Sequence, residues 1–233
     1  MAALTPLLTP VSVITLTPSL LAKACSQLSH RVKAEGCCPS VLIGIQQGGA
    51  EVAKLMKEDF PDAAYCEVRL SRPDTPQKSQ GWKHRLLYYM PIWLCNYLRA
   101  VESRVNEWQS KGKEPVRLGE IRLPDDIASI LNPSNPSNSS NSLTPSNLST
   151  PSNLSNSSNP PLVLLIDDAI DTGATIQQAR RQLLEQFPNI TLRVAVITVT
   201  TPHPICDADF CLYHNRTLCR FPWSNDYRPS QFP

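Results

Sequence analysis

Apolar positions recur along this chain in two rhythms, that of a helix face and that of a buried strand. From Ser19 to Ala34, Leu20, Leu21, Ala24, Leu28 and Val32 fall at spacings near three and four, which predicts an amphipathic helix stopped by Gly36. Val41 to Ile45 is a continuous apolar run between Pro39 and a Gln46-Gln47-Gly48-Gly49 turn, the pattern of a strand covered on both faces, and a helix is predicted over Ala50 to Glu58. Tyr65 to Leu70 alternates as a second strand, and the segment after it, SRPDTPQKSQGW, predicts a mobile polar loop. Arg85 to Val105 is strongly apolar and helical in spacing, with Pro91 at its kink or start. Farther on, Leu162 to Ile166 is an all-apolar strand, Asp167 to Thr175 an acidic and small-residue turn, Ile176 to Gln186 a helix and Leu192 to Val199 another buried strand. Strand, helix and strand joined by short loops make a parallel βαβ unit with a right-handed crossover, so the predicted class is α/β, a mostly parallel sheet flanked by helices.

Composition changes abruptly between the two halves. Residues 132–160 hold 11 Ser, 8 Asn, 5 Pro, 3 Leu, 2 Thr and no charge. Such a stretch buries too little apolar surface to offset the entropy of ordering it, and a disordered surface loop is predicted there. It interrupts a single domain formed by residues 19–131 and 161–227, because long surface insertions cost little closure entropy. Over all 233 residues, 22 Lys and Arg face 20 Asp and Glu, a balance that excludes the basic footprint of a nucleic-acid or anionic-membrane binder. No run approaches the roughly 18 apolar residues of a membrane span. The apolar start, Met1 to Leu21, has no Lys or Arg before Lys23 and is broken by Pro6, Pro10 and Pro18, unlike a signal peptide. The expectation is a cytoplasmic protein. Eight scattered cysteines without a CxxC pair fit buried thiols in reducing surroundings, and His203, Cys206, Cys211 and His214 have spacings unlike those of structural zinc sites.

The segment LVLLIDDAIDTGATIQQA, Leu162 to Ala179, concentrates the chemistry. A buried parallel strand ends in two adjacent carboxylates, Asp167 and Asp168, at the carboxyl edge where open α/β sheets bind ligands. Such a pair accepts hydrogen bonds from vicinal hydroxyls or holds a divalent cation. Asp171, Thr172, Gly173, Ala174 and Thr175 follow at a helix N-terminus, where backbone N–H groups and the helix dipole favour a phosphate. Carboxylates for a sugar beside a nest for phosphate describe a phosphorylated ribose site. As a capping arrangement alone, the segment would need only one acidic residue.

This run resembles the signature of the type I phosphoribosyltransferases over thirteen consecutive positions, Val163 to Thr175, and more loosely over most of residues 19 to 227. The resemblance implies that Asp167 and Asp168 position the ribose hydroxyls of 5-phosphoribosyl 1-diphosphate (PRPP) and hold Mg2+. It implies further that Asp171, Thr172, Gly173, Ala174 and Thr175 bind the 5′-phosphate side, with Asp171 as acid/base, or else as the cap of a helix running from Thr172. Gln47, Gly48 and Gly49 stand at the family's diphosphate turn, where Gln47 replaces the Arg or Lys of many relatives. Arg69 and Lys83 are the favoured cations of the catalytic loop, among Arg72, Lys78, His84 and Arg85. The last third, Ile205 to Tyr227, is similar in layout to the hood of bacterial xanthine-guanine phosphoribosyltransferases, which puts Leu218 and Cys219 against the base, with Trp223 expected in core packing. No Lys stands near Thr200 and Thr201, where the purine enzymes place one.

The function so implied is transfer of a phosphoribosyl group from PRPP to a nitrogen of a nucleobase-like acceptor, with release of pyrophosphate. The partners are small molecules, and a homodimer is the candidate assembly. Two other readings stand beside it: a non-catalytic regulator that keeps the site as a sensor of PRPP or nucleotide, and an enzyme for a non-purine acceptor.

Overall fold

The apolar runs pair edge to edge. In the computed structural model, which describes residues 12–70, 90–92, 94–101, 119–132, 160–214 and 217–231, five strands form one sheet in which every neighbouring pair is parallel. After a short first strand, β1 (Ser12–Thr15), these are β2 (Val41–Ile45), β3 (Ala64–Val68), β4 (Leu162–Ile170), β5 (Thr191–Val199) and β6 (Phe210–Tyr213), in the order β3-β2-β4-β5-β6. Side chains alternate across the pleat, so consecutive residues of one run serve two cores. Leu42, Leu164, Ile166, Ala195 and Ile197 face a cluster with Leu21, Leu28, Val52 and Met56 of α1 (Pro18–Ala34) and α2 (Gln46–Lys57). Val41, Ile43, Val163, Leu165 and Val194 face one with Ile127 of α3 (Asp125–Leu131) and Ile176 and Leu183 of α4 (Ala174–Gln186). The α/β class expected from the pattern, a mostly parallel sheet flanked by helices, is the fold observed.

Strand order fixes where a ligand can sit. From β2 the chain winds outward to β3, then crosses back to β4 on the other side of β2 and winds outward through β5 and β6. The loops after β2 and β4 therefore part at the carboxyl ends of two adjacent strands, the switch point that leaves a crevice in such sheets.

A second sheet, of two parallel strands, lies apart: β1 pairs with β7 (Thr217–Arg220). Around it the Arg220 guanidinium is fully buried, donating to Asp226 Oδ2 at 2.9 Å, Thr15 Oγ1 at 2.8 Å and Asn96 Oδ1. Arg99 joins the same carboxylate. Asn96 and Arg99 come from a helical stretch over 94–101 whose first amides, Leu94 and Cys95, donate to Pro91 O, so Pro91 starts the helix. The hood thus takes strands from both ends of the chain.

Several boundaries differ from the pattern-based reading. β4 runs through Asp167 and Asp168 to Ile170 instead of ending before them, because pairing with β5 continues to Val199. The Gln46-Gln47-Gly48-Gly49 segment is the first turn of α2, entered through Gln46 at φ 51°, and not a loop before it. Five of the eight cysteines are buried and all are free, and burial pushes the thiols of Cys25, Cys66 and Cys219 up to about 12. No helix among the described residues is long and apolar enough to cross a membrane. Residues 133–159 of the insertion, and Lys83 with Arg72, Lys78, His84 and Arg85, lie outside the described residues.

Candidate active site

Asp167 and Asp168 occupy the end of the central strand and touch different things. The Asp167 Oδ1 accepts the Asp168 backbone N–H at 2.9 Å, and Asp168 Oδ2 accepts the indole N–H of Trp223 at 2.9 Å. Burial raises both carboxyls above the usual range. For Asp167 the neighbouring charge of Asp168 adds strongly to this, while for Asp168 the Trp223 and Asp167 hydrogen bonds work in the other direction. Two acids this close in a desolvated place resist carrying two charges until something positive or hydrogen-bonding arrives.

The first turn of α2 lies directly against them. A Cβ on Gly48 would stand 2.2 Å from Asp168 Oδ2, and one on Gly49 would stand 2.4 Å from Ile166 O and 2.8 Å from the Asp167 Cα. Gly44 has the same office one layer below, where a Cβ would meet the Ala50 Cα at 2.7 Å. Gly44 and Gly49 thus let helix and sheet close to backbone contact while Gly48 leaves room for the Asp168 carboxylate, and the signal that reads as a turn in sequence is a demand for proximity. Gln47 is exposed, while the Gln46 amide donates to Leu70 O at 3.0 Å and ties α2 to the end of β3 beside the exposed Arg69.

The loop after β4 is braced from the far side. Asp171 Oδ1 accepts the Thr200 hydroxyl at 3.0 Å, and Thr200 N donates to Ile170 O at 2.9 Å. Thr172 O accepts the Ile205 N–H at 2.8 Å, and Thr172 Oγ1 accepts the Ala174 N–H at 3.3 Å. Gly173 is the N-cap of α4 at φ 82°, where a Cβ would come within 2.6 Å of Cys206 O. The helix therefore begins at Ala174, not Thr172, and Asp171 does not cap it. Gly173 brings no side chain to the first-turn amides, and half-buried Thr172, Ala174 and Thr175 surround them.

Over the carboxyl ends stands the hood. Leu218 and Cys219 are both buried in β7, and the Thr198 hydroxyl of β5 donates to Thr217 O of β7 at 2.7 Å. Trp223 is more than core packing. It lies flat on Phe221, ring centroids 4.9 Å apart, while its edge holds Asp168. Sequence reasoning missed that contact because nothing in local spacing joins residues 55 positions apart. Among the described residues no three or more His, Cys, Asp or Glu side chains are gathered in a way suited to a metal, and His203, Cys206, Cys211 and His214 are not brought together so.

No protein-family model and no curated protein matches the sequence. Solved structures do match. The chain is similar to a purine phosphoribosyltransferase from Pyrococcus horikoshii (15% identity, 91% of this chain and 94% of that one, TM-score 0.51). It is also similar to a xanthine-guanine-hypoxanthine phosphoribosyltransferase from Helicobacter pylori (10%, 92% and 93%, TM-score 0.53). The chain has the type I phosphoribosyltransferase fold. On that fold it is similar as well to a hypothetical protein from Neisseria gonorrhoeae with bound ppGpp (13%, 92% and 90%, TM-score 0.52). The identity of each of the three is too low to carry more than the phosphoribosyltransferase fold.

Mg2+ is the cofactor that this fold implies. The donor set fits it: two adjacent carboxylates suit an ion that keeps water and substrate phosphates as its other ligands.

Proposed function

We propose that this chain transfers the phosphoribosyl group of PRPP to a ring or amide nitrogen of a nucleobase-like acceptor and releases pyrophosphate. The observation that carries the reading is the convergence at the sheet's switch point. The Asp167–Asp168 pair, the first turn of α2 and the braced N-terminus of α4 meet at the carboxyl ends of β2 and β4. In this reading Asp167 and Asp168 accept the two ribose hydroxyls. The backbone of Thr172 to Thr175 takes the 5′-phosphate. Gln47, Gly48 and Gly49 lie along the diphosphate, and Arg69 and Lys83 bring charge to the leaving group. The C1–oxygen bond to pyrophosphate breaks, the C1–nitrogen bond forms, and the acceptor's proton passes to Asp171, which Thr200 holds in place. Asp167 and Asp168 would hold Mg2+, which neutralises charge building on the departing pyrophosphate. Leu218 and Cys219 form the hood's side of the acceptor pocket.

A second reading, a non-catalytic sensor of PRPP or nucleotide, is favoured by the neutral, exposed Gln47 at the diphosphate turn. One assay separates the two. With PRPP, Mg2+ and a panel of bases, pyrophosphate release is expected from the enzyme and none from a sensor. Calorimetry on the double variant Asp167→Asn, Asp168→Asn should show PRPP binding abolished, and unchanged affinity would remove the site from these residues.

A further inference from the structure

We infer that Trp223 is a positioning residue for Asp168, the hood's fixed link to the carboxylate pair. The inference rests on reading that pair as the donor-sugar site. The indole N–H is a lone donor with no acceptor on the same ring, and at 2.9 Å from Oδ2 it has one use, to hold this carboxylate. The ring cannot swing away cheaply. It is stacked at 5° on Phe221, which is buried and closes a tight turn: Phe221 N donates to Ser224 Oγ at 3.0 Å, and Ser224 N donates to Phe221 O at 2.9 Å. The turn is clamped across its ends, because Arg220 before it bonds Asp226 after it, and Arg99 bonds the same Asp226. On the other side of Asp168, Gly48 leaves only the space that the carboxylate fills.

The choice of donor matters. Arg or Lys in place of Trp223 would hold the carboxylate equally well but would cancel its charge, whereas a neutral indole fixes the group and leaves it anionic. A carboxylate pinned between a helix turn and an indole loses little freedom on binding, and this preorganisation shows as affinity. The Arg220–Asp226 clamp therefore acts on the donor site through one ring.

The test is Trp223→Phe, which keeps a ring on Phe221 and removes the donor. PRPP affinity with Mg2+, read by calorimetry, should fall about tenfold, the weight of one hydrogen bond to a charged group. The melting temperature should stay close to that of the parent. In the ligand-free protein, the indole N–H proton resonance that disappears in Trp223→Phe should move upfield in Asp168→Asn. Adding Trp223→Phe to Asp168→Asn should cost little further affinity, since the group being positioned is already altered. Equal or tighter binding by Trp223→Phe, or an indole resonance indifferent to Asp168→Asn, overturns the inference. A parent protein that binds no PRPP overturns instead the donor-site reading, and the resonance still decides whether the indole holds Asp168.

Discussion

Gly48 and Gly49 are neighbours with separate duties, and substituting each should show it. A methyl at 49 meets the backbone of Ile166 and Asp167, which cannot step aside without parting α2 from β4. Gly49→Ala is therefore expected to cost about 1–3 kcal/mol in urea unfolding, as overpacking does. At 48 the nearest atoms to the same methyl are those of the Asp168 carboxylate, a side chain that can turn aside by giving up its indole hydrogen bond. Gly48→Ala should leave the melting temperature nearly unchanged and weaken PRPP binding at least tenfold, about 1.4 kcal/mol. Equal stability loss in both would show that the carboxylate is as immovable as backbone. Asp167 offers the opposite balance. Its folded-state carboxyl is raised, first by burial and then by the charge of Asp168, above the unfolded value of about 3.9. Such an acid is best tolerated in its protonated form, so its contribution is present at low pH and is lost as pH rises through the folded-state value. At neutral pH, Asp167→Asn should then raise the melting temperature of the ligand-free protein while impairing PRPP binding. A lower melting temperature would show the carboxylate to be structurally needed.

Among elements, the hood makes the firmest statement about charge. Burial by itself would raise the Asp226 carboxyl, but hydrogen bonds and charge from Arg99 and Arg220 outweigh it and hold the group below its ordinary range. A depressed carboxyl contributes stability above its unfolded value and loses it as pH falls through the folded one, so the hood should loosen in acid below about pH 4. Asp226→Asn leaves a fully buried Arg220 without its anion, and a loss of about 3 kcal/mol is expected at neutral pH, with a flatter acid limb in a pH series of thermal melts. The same elements mark where sequence stops being legible. β2, β4, β5, α1 and α4 announce themselves because burial imposes periods of two and 3.6 on their residues. The four residues of β1 and the seven of α3 are too short to express a period. β4 outruns its apolar run because strand pairing, not hydrophobicity, ends a strand. The Asp-Asp-x-x-Asp-Thr-Gly run was legible as the junction of a central strand with the helix that follows, and the structure has that junction there. Thr200 and Trp223 were invisible as their partners, since tertiary contact alone brings them there.

For the whole molecule, the points where the Ser- and Asn-rich insertion leaves and re-enters the described fold bear on what it affects. The segment leaves after α3, whose Ile127 and Leu131 are already buried, and returns just before Leu162 at the amino end of β4. That return is secured independently of it: Thr191 N donates to Pro161 O at 3.0 Å, and Ser40 N donates to Leu162 O at 2.8 Å. The candidate site is at the opposite end of the same strand. The six steps of strand from Leu162 to Asp168 span about 20 Å at roughly 3.3 Å per residue, so the insertion enters the fold far from the carboxylates. Loop closure depends only weakly on length, and a shorter flexible connection should close the α3–β4 gap at similar cost. Replacing residues 133–159 with a short Gly-Ser linker is therefore expected to leave PRPP affinity and pyrophosphate release within about twofold, a few tenths of a kcal/mol, and thermal stability nearly unaltered. A loss beyond about 2 kcal/mol, the size that requires a specific structural cause, would show that this segment packs on the domain and belongs to its working structure.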